Sequence, residues 1–175
     1  FYLSRSLRLP AALVGVVLSA GPLVSALTGA PAGRLVDRLG AARMTAAGLL
    51  AMLAGAGALA ALPVRFGIAG YIGALAVLTA GYATFQAANN AGLMGRVDAA
   101  QRGVVSGMLN LSRNLGLITG ASVMGAVFAL ASATIDITTA PPEAVATGMR
   151  VTFAVAAMLI VAALAIAVGT GRRKW

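Results

Sequence analysis

Five long stretches of the chain carry no charged residue: 9–33, 44–64, 66–95, 114–135 and 151–171. Each is 21 to 30 residues long. A helix rising about 1.5 Å per residue needs roughly 17–25 residues to cross about 30 Å of hydrocarbon. Within them the apolar residues are continuous, as from Leu49 to Leu62. That excludes the alternating segments of about ten residues that build a membrane barrel. Since the bilayer core offers no water to backbone groups, helices are the remaining way across. The pattern predicts an all-α integral membrane chain with five transmembrane helices, at about 9–32, 44–64, 67–94, 102–132 and 149–171. The fourth begins near Arg102 and so encloses Arg113.

Punctuation refines this outline. Gly21-Pro22 interrupts the first span and predicts a kink, because Pro lacks the backbone donor and crowds the preceding turn. Pro31 lies near the end of the same span and Pro63 closes the second. Thr138 to Pro142, followed by Glu143, reads as the longest connecting loop. Small residues recur at helical spacing in Gly29/Gly33, Gly103/Gly107 and Gly116/Gly120. Such pairs allow close and sliding helix contact, or simply ordinary tight packing.

Composition agrees with a lipid-facing chain. Of the 175 residues, 60% are hydrophobic and 10% charged, against about 25% charged in a soluble domain. The net charge of +9 forms no continuous basic stripe with interleaved aromatics, which argues against nucleic-acid binding. It is a topology signal instead. Arg34, Arg38, Arg43, Arg96, Arg102, Arg172, Arg173 and Lys174 fall on one side, and Arg5, Arg8, Arg65 and Arg150 on the other. The richer side is expected to be cytoplasmic, with the C-terminus inside. The chain opens on Phe1 rather than Met, so its natural start is expected to lie upstream.

Three groups of polar residues stand out. The first, Gly33-Arg34-Leu35-Val36-Asp37-Arg38-Leu39-Gly40 with Arg43 beyond it, is expected in the link between spans one and two. Gly40 permits a tight reversal, and Asp37 is an acid among three Arg, able to pair with one or to face a helix N-terminus. Either it latches two helices at the membrane boundary or it is an ordinary positive loop. The second group is a polar face on the third helix, where Thr79, Tyr82, Gln86, Asn89 and Asn90 share spacings of three and four. The third is its counterpart on the fourth helix: Ser106, Asn110, Arg113 and Asn114. Arg113 lies roughly 16 Å along the helix from Arg102, and an Arg at mid-bilayer costs about 2.5–3.5 kcal/mol on insertion scales. An interhelical or functional role competes there with snorkelling. The two faces either bond to each other, line a water-filled path, or do both.

Absences narrow the chemistry. With no Cys and no His, disulfides, thiol nucleophiles and metal or haem sites built on those residues are excluded. No phosphate-binding loop or Ser/His/Asp grouping is present. The chain is therefore not expected to be an enzyme or to hold a cofactor or metal. Asp37, Asp98, Asp136 and Glu143 all belong near the two surfaces, so no carboxylate sits in mid-membrane.

The link residues Gly33, Asp37, Arg38, Gly40 and Arg43 resemble the loop motif Gly-x-x-x-Asp-Arg-x-Gly-x-x-Arg of the major facilitator superfamily. Gly81 to Gly95, which holds Gln86, Asn89 and Asn90, is similar to the tenth core helix of its fourteen-span drug–proton antiporter branch. Arg102 to Gly116, which holds Ser106, Asn110 and Arg113, resembles the start of the eleventh. On this resemblance Phe1-Tyr2-Leu3 is the tail of core helix seven, and the five spans are core helices eight to twelve, most of the C-terminal six-helix bundle. Asp37 and Arg38 then belong to a cytoplasmic gate that closes against the other bundle. Ala41-Ala42 and Asn114 depart from the usual residues of the motifs.

The resemblance implies part of a secondary transporter, with proton-coupled export of small lipophilic or cationic compounds across the cytoplasmic membrane. Its partners would be membrane lipid, the N-terminal bundle of the same polypeptide, the solute and protons. A permease for an amino acid, sugar, siderophore or lipid precursor is the main alternative, and a channel or membrane scaffold a more distant one.

Overall fold

A computed structural model describes residues 3, 4, 7, 9–63, 66–133 and 141–172. Five helices account for nearly all of them: α1 Ala11–Leu39, α2 Ala41–Ala61, α3 Gly67–Met94, α4 Arg102–Ser132 and α5 Pro142–Arg172, with a short 3-10 turn at Ala99–Gln101 ahead of α4. All five are long and apolar enough to cross a membrane. Many of their Ser and Thr hydroxyls fold back on their own helices. Thr28 Oγ1 donates to the Val24 carbonyl at 2.6 Å and Thr84 Oγ1 to Ala80 at 2.8 Å, which satisfies polar groups where no water is present.

Two helix ends differ from the sequence expectation. The first helix does not stop near residue 32. It continues through Arg34, Asp37 and Arg38 to Leu39, so most of the presumed link is helical and only Gly40 separates α1 from α2. Charged residues end a span of hydrocarbon, but nothing in them ends a helix, and the extra turns simply project past the apolar slab. Gly40 makes the reversal. Its φ of 86° and ψ of 146° are accessible to Gly and hostile to other residues, and its N–H donates to the Val36 carbonyl at 2.9 Å. The last helix starts at Pro142 rather than near 149. Pro fits the first helical position, where its missing donor is not needed, and Glu143 in the first turn complements the helix dipole. Residues 138–140 of the expected loop, with Asp136, lie outside the described residues, as do Phe1 and Tyr2 of the expected helix-seven tail. Pro22 and Pro31 both sit inside α1, which remains helical across them.

The helices pack in the spatial order α1, α3, α2, α5, α4, with the α2–α3 pair in most extensive contact. Glycine makes that contact close. A Cβ on Gly48 would come within 2.6 Å of the Phe85 backbone nitrogen, one on Gly81 within 2.6 Å of the Met52 nitrogen, and one on Gly55 within 2.5 Å of the Leu78 nitrogen. The Gly-x-x-x-Gly pairs singled out in the sequence behave differently. Gly29, Gly33, Gly103, Gly107 and Gly116 have nothing within 4 Å of a built Cβ, and neither does Gly120. Those pairs therefore mediate no close contact among the described residues.

One end of the bundle gathers around Leu3, Val17, Val145, Ala146 and Met149, with Tyr71 and Phe128 packed against them. At the opposite end a smaller cluster of Val36, Met44 and Ala88 joins α1, α2 and α3. This second end carries Arg38, Arg43, Arg96 and Arg102 and is called the arginine-rich end below.

Candidate functional site

The site is built from the α3 and α4 segments that approach the arginine-rich end. Spacings of three and four place Tyr82, Gln86, Asn89 and Asn90 along one side of α3. On α4, Asn110 and Arg113 are three apart and occupy one face. The structure brings these six residues around one cavity of about 280 Å³, together with Phe85, Leu109 and Ser112. Ser106 and Asn114, expected in the same network, do not line it. They are exposed on α4. Thr79 lies elsewhere, near Gly21 of α1: a Cβ on Gly21 would sit 3.8 Å from its hydroxyl.

A contact between Gln86 and Arg113 spans the cavity. With the amide turned so that its oxygen meets the guanidinium, Gln86 accepts from Arg113 Nη1 at 2.6 Å, Nη2 at 3.0 Å and Nε at 3.1 Å. A single oxygen near all three nitrogens cannot lie along three N–H directions in one plane. It sits over the guanidinium, and the attraction is that of a carbonyl dipole for a cation rather than a planar two-pronged bond. Such a contact leaves the edges of the guanidinium open to a further acceptor. Gln86 is half-buried, while Asn110 and Arg113 are exposed towards the open side of α4.

The loop-motif residues form a separate group. Arg34, Asp37 and Arg38 are exposed on the last turns of α1, Gly40 is the connecting residue, and Arg43 opens α2. Gly33 is half-buried. Among the described residues Asp37 has no ion-pair partner, and none of the neighbouring Arg pairs with it there. Among them, too, no group of three metal-ligating side chains occurs.

Sequence reasoning missed Phe85, Leu109 and Ser112 as cavity walls. Each lies next to a residue it did select, and strict face counting discards such neighbours although a cavity wall is wider than one helix stripe. It also missed a second, larger cavity at the arginine-rich end, between α2, α3 and α5.

Five apolar helices with a polar-lined space between two of them define a multi-pass membrane protein of the helical-bundle type. The chain belongs to the major facilitator superfamily, whose family model matches residues 1–174. Over 124 residues, 71% of this chain, it is 32% identical to the Uncharacterized transporter YebQ of Escherichia coli (strain K12), and the matched stretch is 27% of that protein. The chain thus spans little more than a quarter of that relative. No solved structure matches it.

Proposed function

We propose that the chain supplies most of the C-terminal bundle of a secondary active transporter, which exports small lipophilic or cationic compounds in exchange for protons across the cytoplasmic membrane. Family membership supports transport as the class of activity. The drug–proton antiporter reading rests on the similarity of Gly81 to Gly95 and Arg102 to Gly116 to that branch.

The observation that carries the proposal is the Gln86–Arg113 contact across a cavity lined by Tyr82, Asn89 and Asn110. Two membrane helices thereby present amides, a phenol and a fixed cation to a shared space. Polar groups at this position are costly in lipid and mark solute paths. Arg113 also shapes the electrostatics, because a guanidinium without a carboxylate beside it disfavours a second cation. For a cationic solute, the neutralising and titrating acid would then come from the other bundle, since no carboxylate among the described residues lines this cavity. The exposed Asp37 and Arg38 at the end of α1 are, in this reading, gate residues whose partners belong to that bundle.

The test is transport by the complete protein in proteoliposomes with an imposed proton gradient. Arg113→Ala is expected to abolish solute-linked proton movement while membrane insertion stays normal. Unchanged export and coupling in that variant would remove Arg113 from the mechanism. Ion current without saturable exchange would instead identify a channel, and neither signal a scaffold.

A further inference from the structure

The larger cavity, about 560 Å³, opens at the arginine-rich end where α2, α3 and α5 meet. Its position differs from that of the site above, although Asn89 reaches both. Most of its wall is small or aliphatic, from Ala42 and Ala46 on α2 through Ala88 and Leu93 on α3 to Val168 on α5. Two exposed guanidinium groups, Arg43 and Arg96, belong to the same wall, and no acidic residue does.

Backbone geometry adds to the positive field. Ala41, Ala42 and Arg43 are the first three residues of α2, and all line the cavity. The N-cap residue Gly40 provides no side-chain acceptor for their N–H groups, and the first turn contains no acid. The positive end of the α2 dipole therefore faces the same space as the two arginines. Gly92 belongs to the same wall and leaves room beside Ala41, since a Cβ there would lie 3.2 Å from that of Ala41. Beyond the lining, one turn from Ala46 on α2 and next to Ala167 on α5, Leu50 and Ile166 are exposed aliphatic side chains.

A ligand that fits must carry a negative head at the membrane boundary and an apolar body running inward. A free anion satisfies only the arginines, and an apolar solute only the walls. We propose that this cavity binds one anionic glycerophospholipid of the adjacent leaflet, its phosphate between Arg43 and Arg96 at the start of α2 and an acyl chain along the α2–α5 seam. Basic pockets between membrane helices favour acidic lipid headgroups on the same physical grounds.

Native mass spectrometry of the complete transporter, purified in detergent and offered equal amounts of phosphatidylglycerol and phosphatidylcholine, tests this. The expected result is selective retention of one phosphatidylglycerol. Arg43→Gln and Arg96→Gln should each weaken that retention roughly five-fold, and the double variant roughly 25-fold. Val168→Trp, which leaves both charges in place and fills the acyl slot, should lower it as well. Millimolar inorganic phosphate should compete poorly. Equal retention of the two lipids, undiminished phosphatidylglycerol in both the double variant and Val168→Trp, or ready displacement by inorganic phosphate would each overturn the proposal, the last by showing a simple anion site.

Discussion

With its amide oxygen assigned to the side facing the guanidinium, Gln86 on α3 lies 2.6 Å from Nη1 of Arg113 on α4, across the cavity between the two helices. α4 packs chiefly on α5, so this contact ties its arginine-rich half to α3. Interhelical polar contacts in membranes average about 0.6 kcal/mol and reach about 1.7 kcal/mol. A double-mutant cycle of Gln86→Ala and Arg113→Ala, read from unfolding free energies in detergent, is expected to give a coupling within that range. Strictly additive single effects would show that the pair does not hold the helices together.

The α2–α3 seam should tolerate no side chain at Gly48 or Gly81. Each built Cβ meets backbone of the facing helix below 3.0 Å, and backbone cannot swing aside as a flexible side chain does. Gly48→Ala and Gly81→Ala should each destabilise the protein by about 1–3 kcal/mol, the cost of overpacking a close contact. Wild-type thermal stability in both variants would contradict the interlocked packing.

Gly40 should resist replacement for a different reason. Its Cβ position is open space, so only its backbone angles matter. Gly40→Ala is expected to cost about 1–3 kcal/mol. Gly40→Asn should be no better, because Asn is at ease in the left-handed helical region, whereas a ψ of 146° lies outside it. A clear advantage of Asn over Ala in thermal stability would show that the reversal relaxes to another conformation.

Orientation can be read from accessibility. Asp98 at the arginine-rich end and Glu143 at the opposite end are both exposed. In an otherwise cysteine-free transporter, Asp98→Cys should react with a membrane-impermeant maleimide only from the cytoplasmic face and Glu143→Cys only from the other. The reverse pattern would invert the topology.

Much of the fold was legible because a lipid environment writes itself into the sequence as length and lack of charge. Five uncharged stretches became five helices for that reason. The same signal misplaced the end of α1, since Arg34 and Arg38 report where hydrocarbon stops rather than where hydrogen bonding stops. The candidate site was legible through spacing: Gln86 and Arg113 lie on polar faces that intervals of three and four residues define. Which glycines pack was not. Gly48 and Gly55, seven residues apart, touch α3, while Gly103 and Gly107, at the spacing known for helix contact, have nothing among the described residues within 4 Å of a built Cβ. Spacing defines a ridge along one helix, and only the arrangement of neighbours decides whether another helix fills the groove beside it.

The short central helix has a consequence for the whole assembly. At 21 residues α2 is about 32 Å long, whereas the 31 residues of α4 extend about 46 Å. Surrounded by longer helices, α2 acts as a gauge of the bilayer thickness that the bundle fits. Its neighbours α3 and α5 must tilt or overshoot by the difference, and for α4, which packs on α5, the share that overshoots beside Arg102 sets how deep Arg113 lies. A thicker or thinner membrane would raise or lower that cation relative to the lipid surface. Bilayer thickness thus becomes a variable to which transport by such a protein should respond.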